Sequence, residues 1–108
     1  MNYRKVKAII RGDVLEKVER ELEVIGVTGI SVTKVKGYGE YSNFYSKDWM
    51  VSHARIEIFT HETKADAIAR SIIETAYVGL EGDGIVAVLP VEKLYRIRTQ
   101  SEVVVDDI

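Results

Sequence analysis

Cysteine is absent from the 108 residues, which excludes disulfides, thiolate metal sites and a cysteine nucleophile together. Histidine is scarce too. His53 and His61 are the only imidazoles, and their separation brings them together only if the fold does so. No apolar run reaches the roughly 18 residues that a membrane span requires, and the opening MNYRKVKAIIRGD has too short an apolar stretch for a signal peptide. Net charge is nearly absent as well, at −2, so there is no bulk electrostatic reason to bind nucleic acid. The chain therefore reads as cytoplasmic, without direct membrane insertion and without a nucleic-acid partner. No G-x-x-x-x-G-K loop, H-E-x-x-H pair or spaced serine, histidine and aspartate set occurs, so no enzyme is expected.

What is present suits one compact domain. Hydrophobic residues make up 46% and charged residues 30%, an ordinary globular balance, and the length is below that at which chains divide. Val6–Ile10 is a β-branched apolar run ended by Gly12, which predicts a buried strand. Asp13 with Glu16 forms a capping-box pattern, and Val14, Leu15, Val18, Leu22 and Ile25 then repeat at helical spacing up to Gly26. Gly29–Tyr38 predicts a second strand whose alternation slips after Thr33, as at a bulge. Ala54–Thr60 predicts a third, with Ile56 and Ile58 on one face. Thr63 with Asp66 suggests another cap, opening a helix through Ala65, Ile68, Ile72 and Ala76. The run Ile85–Leu89 is apolar throughout, as in a strand covered on both faces, and Pro90 stops it. Lys93–Arg98 alternates apolar and basic residues as a last extended piece, before a tail over residues 100–108.

The order strand, helix, strand, loop, strand, helix, strand predicts an α+β, ferredoxin-like double βαβ domain with one antiparallel sheet. Two helices cover one sheet face. The other face then requires neighbouring subunits, so a homo-oligomer is expected.

The loop, residues 37–53, is long for so small a domain. It holds Tyr38, Tyr41, Phe44, Tyr45 and Trp49, five of the nine aromatics, with Glu40, Asn43 and Asp48 between them. A self-packed loop would tuck these rings inward; a docking loop would present them to a partner. Gly82-Asp83-Gly84 is either a tight turn or a nest of amides for phosphate. Arg96 and Arg98, two apart, share a strand face and suit polyphosphate, or else pair with Glu57 or Glu92. His53 with a carboxylate such as Asp48 is a weak metal candidate, and a satisfied surface histidine is the plainer account.

In order and spacing, Ala8-Ile9-Ile10, Ser31 through Gly39, Arg55-Ile56-Glu57, Gly82-Asp83-Gly84 and Arg96-Ile97-Arg98-Thr99 resemble the PII family of nitrogen-regulatory signal proteins. The resemblance covers residues 4 to about 102. It implies a cytoplasmic homotrimer with ATP or ADP in clefts between subunits. Ser31, Gly37, Gly39 and Glu57 would join Gly82, Asp83, Gly84, Arg96 and Arg98 around the nucleotide. The loop Glu40 to Trp49, including Tyr41, Asn43, Phe44 and Tyr45, would dock on a regulated partner such as a membrane transporter. Glu40 and Tyr41 replace the family's arginine and glutamine, Ile85 replaces a lysine, and His53 replaces another. Each replacement removes a cation or polar ligand, which implies a weakened nucleotide site and disfavours 2-oxoglutarate. The pattern Gly37-Tyr38-Gly39-Glu40 with Asn43-Phe44 and Asp48-Trp49 is similar to a divergent PII-like group associated with heavy-metal efflux. A metal-responsive trimer linked to metal tolerance is therefore the alternative function, and a purely structural oligomer a third.

Overall fold

The computed structural model describes residues 2–37 and 51–103. Four strands form one antiparallel sheet in the order β2-β3-β1-β4: β1 Tyr3–Arg11, β2 Ser31–Gly37, β3 Val51–His61 and β4 Gly84–Val91. Helices α1 (Leu15–Val24) and α2 (Glu62–Ala76) pack on one face. The alternation of β1 explains why. Val6, Ala8 and Ile10 point to the helices and are buried with Ala54, Ile56 and Ile58 of β3, because side chains on a strand alternate between faces. Val18 and Leu22 of α1 and Ala65, Ile68, Ile72 and Ala76 of α2 complete this core. The double βαβ reading is thus the observed fold, with a short hairpin, β5 (Tyr95–Arg96) and β6 (Ser101–Glu102), added at the end.

Several local expectations are corrected. Asp13 caps no helix: it lies inside a 3₁₀ turn, Gly12–Val14, and α1 starts after it with no side-chain cap. The cap of α2 is His61, whose Nδ1 accepts the Thr63 amide at 3.2 Å; the helix begins at Glu62, so Thr63 is already within its first turn. β2 pairs with β3 in continuous register from Ser31 to Gly37, so the slip after Thr33 is not a bulge. β3 starts at Val51, three residues before the predicted strand, since Val51, Ser52 and His53 find partners in Gly37, Lys36 and Val35. Loop residues Tyr38, Gly39, Glu40, Tyr41, Asn43, Phe44, Tyr45, Asp48 and Trp49 lie outside the described residues.

β4 is not covered on both faces. It is an edge strand, and Ile85 and Leu89 are 45% and 39% exposed. They share the open face of the sheet with Lys5, Lys7 and Ile9 of β1 and Arg55, Glu57 and Phe59 of β3. Among the described residues no helix reaches this face. Its apolar content is what another copy would bury.

Gly84 has φ +108°, and a Cβ added there would lie 1.8 Å from the Ile9 carbonyl oxygen. Only glycine permits both the dihedral and the approach to β1. Gly84→Ala should therefore lower stability by about 2–4 kcal/mol, the sum expected for backbone strain and overpacking, read as a reduced urea midpoint.

Candidate functional site

The residues expected to form one site fall into two groups at different places on the chain. The first group lines a cleft of about 580 Å³ beyond the end of β2. β2 stops pairing at Ser31 opposite Glu57, so Ile58–Thr60 of β3 have no β2 partner. The chain from Ile25 to Ile30 swings away and leaves an apolar slot between Val27, Ile30, Ile58, Phe59 and Ile68. Ser31, Thr28, Thr60 and Thr63 supply hydroxyls, Lys64 an ammonium, and Arg96 of the hairpin a guanidinium. An apolar slot beside an unpaired strand edge offers stacking surface together with backbone donors and acceptors.

Arg96 enters this cleft but Arg98 does not. The expected strand Lys93–Arg98 is cut short: only Tyr95 and Arg96 pair, with Glu102 and Ser101. The chain turns over residues 97–100, closed by the Gln100 amide on the Ile97 carbonyl at 3.1 Å, and Arg98 is exposed on that turn. The tail is in part ordered by a tie to β1. The Tyr3 hydroxyl donates to the Val103 carbonyl at 2.8 Å, and the Val103 amide donates to Leu94 at 2.9 Å.

Glu57, at the cleft edge, is an ion-pair partner but not of Arg96. Lys5 approaches its Oε2, and Arg55 Nε lies 3.4 Å from its Oε1. The Lys5 hydrogen bond holds this carboxyl below its usual pKa; desolvation opposes the shift, and the charges of Lys5, Arg55 and Lys7 add to it. Lys5 also sits over the Phe59 ring, 5.8 Å from its centroid.

The second group is at the opposite end of the sheet. Gly82, Asp83 and Gly84 form the turn before β4, and Gly37 ends β2 at the same end of the sheet. Asp83 serves as the turn's own bracket. Its Oδ2 accepts the amides of Val78 (3.1 Å) and Gly79 (2.9 Å), and its Oδ1 accepts Arg11 Nε at 3.2 Å. Burial raises the pKa of this carboxyl, but the two amides and Arg11 outweigh burial and hold it below the ordinary value.

Arg11 and His53, paired across β1 and β3, grip the turn from beneath. Arg11 donates to the Glu81 carbonyl, and His53 Nε2 donates to the Gly82 carbonyl at 3.1 Å. His53 is 1% exposed, so it is a buried structural donor and not the surface histidine expected; Asp48, its candidate companion for a metal, lies outside the described residues. Among the described residues no group of three or more histidine and carboxylate side chains is placed to hold a metal. These two grips, on the Glu81 and Gly82 carbonyls, hold the turn against the sheet with Gly82 buried at φ +89°, a dihedral that favours glycine.

Sequence reading missed Arg11 and the cleft wall of Val27, Thr28, Phe59, Thr60 and Lys64. Arg11 had one signal: a cation directly after the buried run Ala8-Ile9-Ile10, before a glycine, requires an acceptor close by.

A family model for nitrogen regulatory protein P-II matches residues 3–101. The chain belongs to the PII family. It is 34% identical to the nitrogen regulatory protein P-II of Pasteurella multocida over 106 residues, covering 92% of this chain and 95% of that protein. It is 35% identical to nitrogen regulatory protein P-II 1 of Escherichia coli K12, with the same coverage. A solved structure, Arabidopsis thaliana PII bound to citrate, aligns with a TM-score of 0.79 at 34% identity, covering 94% of this chain and 88% of that one. This is thus a PII signal-transduction chain with a ferredoxin-like fold, and a trimeric assembly is typical of its family.

The Asp83 bracket predicts an acid dependence. A carboxyl whose pKa is depressed on folding contributes stability above its unfolded value, near 3.8, and that stability is lost as pH falls through the lower folded value. Asp83→Asn should lower the melting temperature at pH 7, and the gap from the parent should narrow below pH 4. His53→Ala should likewise lower the melting temperature by removing the donor to the Gly82 carbonyl, and His53→Gln, which keeps a donor, should restore most of it; thermal melting of the three chains checks this.

Proposed function

We propose that the chain is a non-enzymatic PII regulator that assembles as a homotrimer and binds ATP or ADP where two copies meet. The observation that carries this is the division of the site. Ser31, Glu57 and Arg96 line the cleft toward one end of the sheet, whereas Gly37, Gly82, Asp83 and Gly84 lie at the other end. A ligand reaching both groups would join one copy's cleft to another copy's turn. The base would enter the slot beside Ile58–Thr60, and the phosphates would face the glycine turn, Arg96 and Arg98.

The exposed Ile85, Leu89 and Phe59 support assembly through the open face. Ile85, exposed at the start of β4, supplies no charge where the family has a lysine, so the site is expected to be weak. The carboxylate ligand of the Arabidopsis relative makes a small organic anion a second effector to test; 2-oxoglutarate is the less favoured one. The rings between Tyr41 and Trp49 would dock on a regulated protein, and a transporter is one class of partner to test. Cytoplasmic placement accords with a chain in which, among the described residues, no helix is long and apolar enough to cross a membrane.

Titration calorimetry tests the nucleotide reading: Arg96→Ala and Arg98→Ala should each cost about 1.5–3 kcal/mol of ADP binding, as for a hydrogen bond to a charged group. Absence of saturable heat with ATP and ADP in the parent would overturn it. A second test addresses the loop. Phe44→Ala with Trp49→Ala should leave melting unchanged while abolishing partner capture; a loss of several kcal/mol of stability would show that the rings belong to the core.

A further inference from the structure

Among the described residues, the open sheet face carries more cations than carboxylates: Lys5, Lys7 and Arg55 project there around one acid, Glu57. Both Glu57 oxygens are already engaged, Oε2 by Lys5 and Oε1 by Arg55. Lys7 stands directly opposite Glu57 in the β1–β3 register yet makes no ion pair among the described residues. Arg55 adds a second unmet demand: its Nε is shielded from solvent and, although near Glu57, is not aligned for a hydrogen bond. Lys7 pairs with Glu57 while Ile9 pairs with Arg55, so Lys7 and Arg55 are diagonal neighbours, about 7–8 Å apart at their Cα atoms.

We propose that Lys7 and Arg55 form a second anion site, on the sheet face opposite the helices, that takes a compact multivalent oxyanion such as a polyphosphate or polycarboxylate. The charge excess favours this occupant. A copy covering the face takes these cations out of water, and a buried cation without a counter-charge is strongly unfavourable. A monovalent ion would meet one of them only. An anion with several oxygens spans the ammonium and the guanidinium fork together. Phe59, Ile85 and Leu89 around them make the surroundings drier and the attraction stronger. Arg96, which lines the cleft beyond β2, is not part of this site.

The inference rests on the assembly proposed above for what buries the face, and its test separates the two. Inorganic tripolyphosphate is titrated into the full chain at constant ionic strength, with heat and melting temperature as readouts and sedimentation run in parallel. The parent should bind saturably. Lys7→Gln should bind roughly tenfold more weakly or worse, as when a hydrogen bond to a charged group is lost. Lys7→Arg should retain binding, and Lys34→Gln, a charge change away from this face, should leave it unaltered. Arg96→Ala should leave tripolyphosphate binding intact while weakening ADP. No saturable binding in the parent, or equal binding by Lys7→Gln, overturns the proposal. So does a Lys7→Gln variant that dissociates while the parent takes up no anion, because a carboxylate of another copy would then be the partner of Lys7. An oligomeric chain that binds tripolyphosphate but no nucleotide fails the nucleotide reading and leaves this one standing, whereas a chain that sediments as a monomer removes what buries the face and overturns both.

Discussion

Two helices can cover only one face of a four-stranded sheet, and the remaining features of this chain follow from that shortage. On the covered face, Val6, Ala8, Ile10, Ile56 and Ile72 are at most 1% exposed. On the other, charged and apolar residues alternate and neither kind is fully withdrawn from water. A face of this composition is a poor boundary with solvent and a workable boundary with a second copy. The trimers typical of PII proteins are one geometric answer to that problem.

The two ends of the sheet are finished differently. At one end the turn Gly79–Gly84 is fastened by Arg11 of β1, His53 of β3 and its own Asp83, which makes it a rigid platform although half of it is glycine. At the other, the hairpin carrying Arg96 hangs from β1 through Tyr3. On the proposed reading, a rigid glycine turn and a tethered guanidinium would be complementary parts of a phosphate site, and one chain supplies them at separated positions. Occupancy would then be a property of the pair of copies.

The fold was legible because its signals are local and redundant. The β-branched run of β1 and the helical spacing of α2 each identify their element without reference to the rest of the chain. The candidate site was legible in composition and illegible in arrangement. Arg96 and Arg98 looked like neighbours on one strand face, but the chain turns over residues 97–100, where Gln100 takes φ +54° and no glycine or proline marks the turn in the sequence. His53 looked like a surface residue because its partner, the Gly82 carbonyl, is a backbone atom that leaves no mark in the sequence. The cleft arises from a difference in length between β2 and β3. Boundaries of that kind are set by packing and not by periodicity.

The bond between Tyr3 and Val103 joins the first strand to the end of the described chain. The four-stranded sheet has all its strands by Val91, and the hairpin that sets Arg96 at the cleft rim is added after it in chain order, fastened to β1 where Val103 meets Tyr3. A disturbance at Tyr3 would therefore reach the cleft rim and leave the helix-covered core in place.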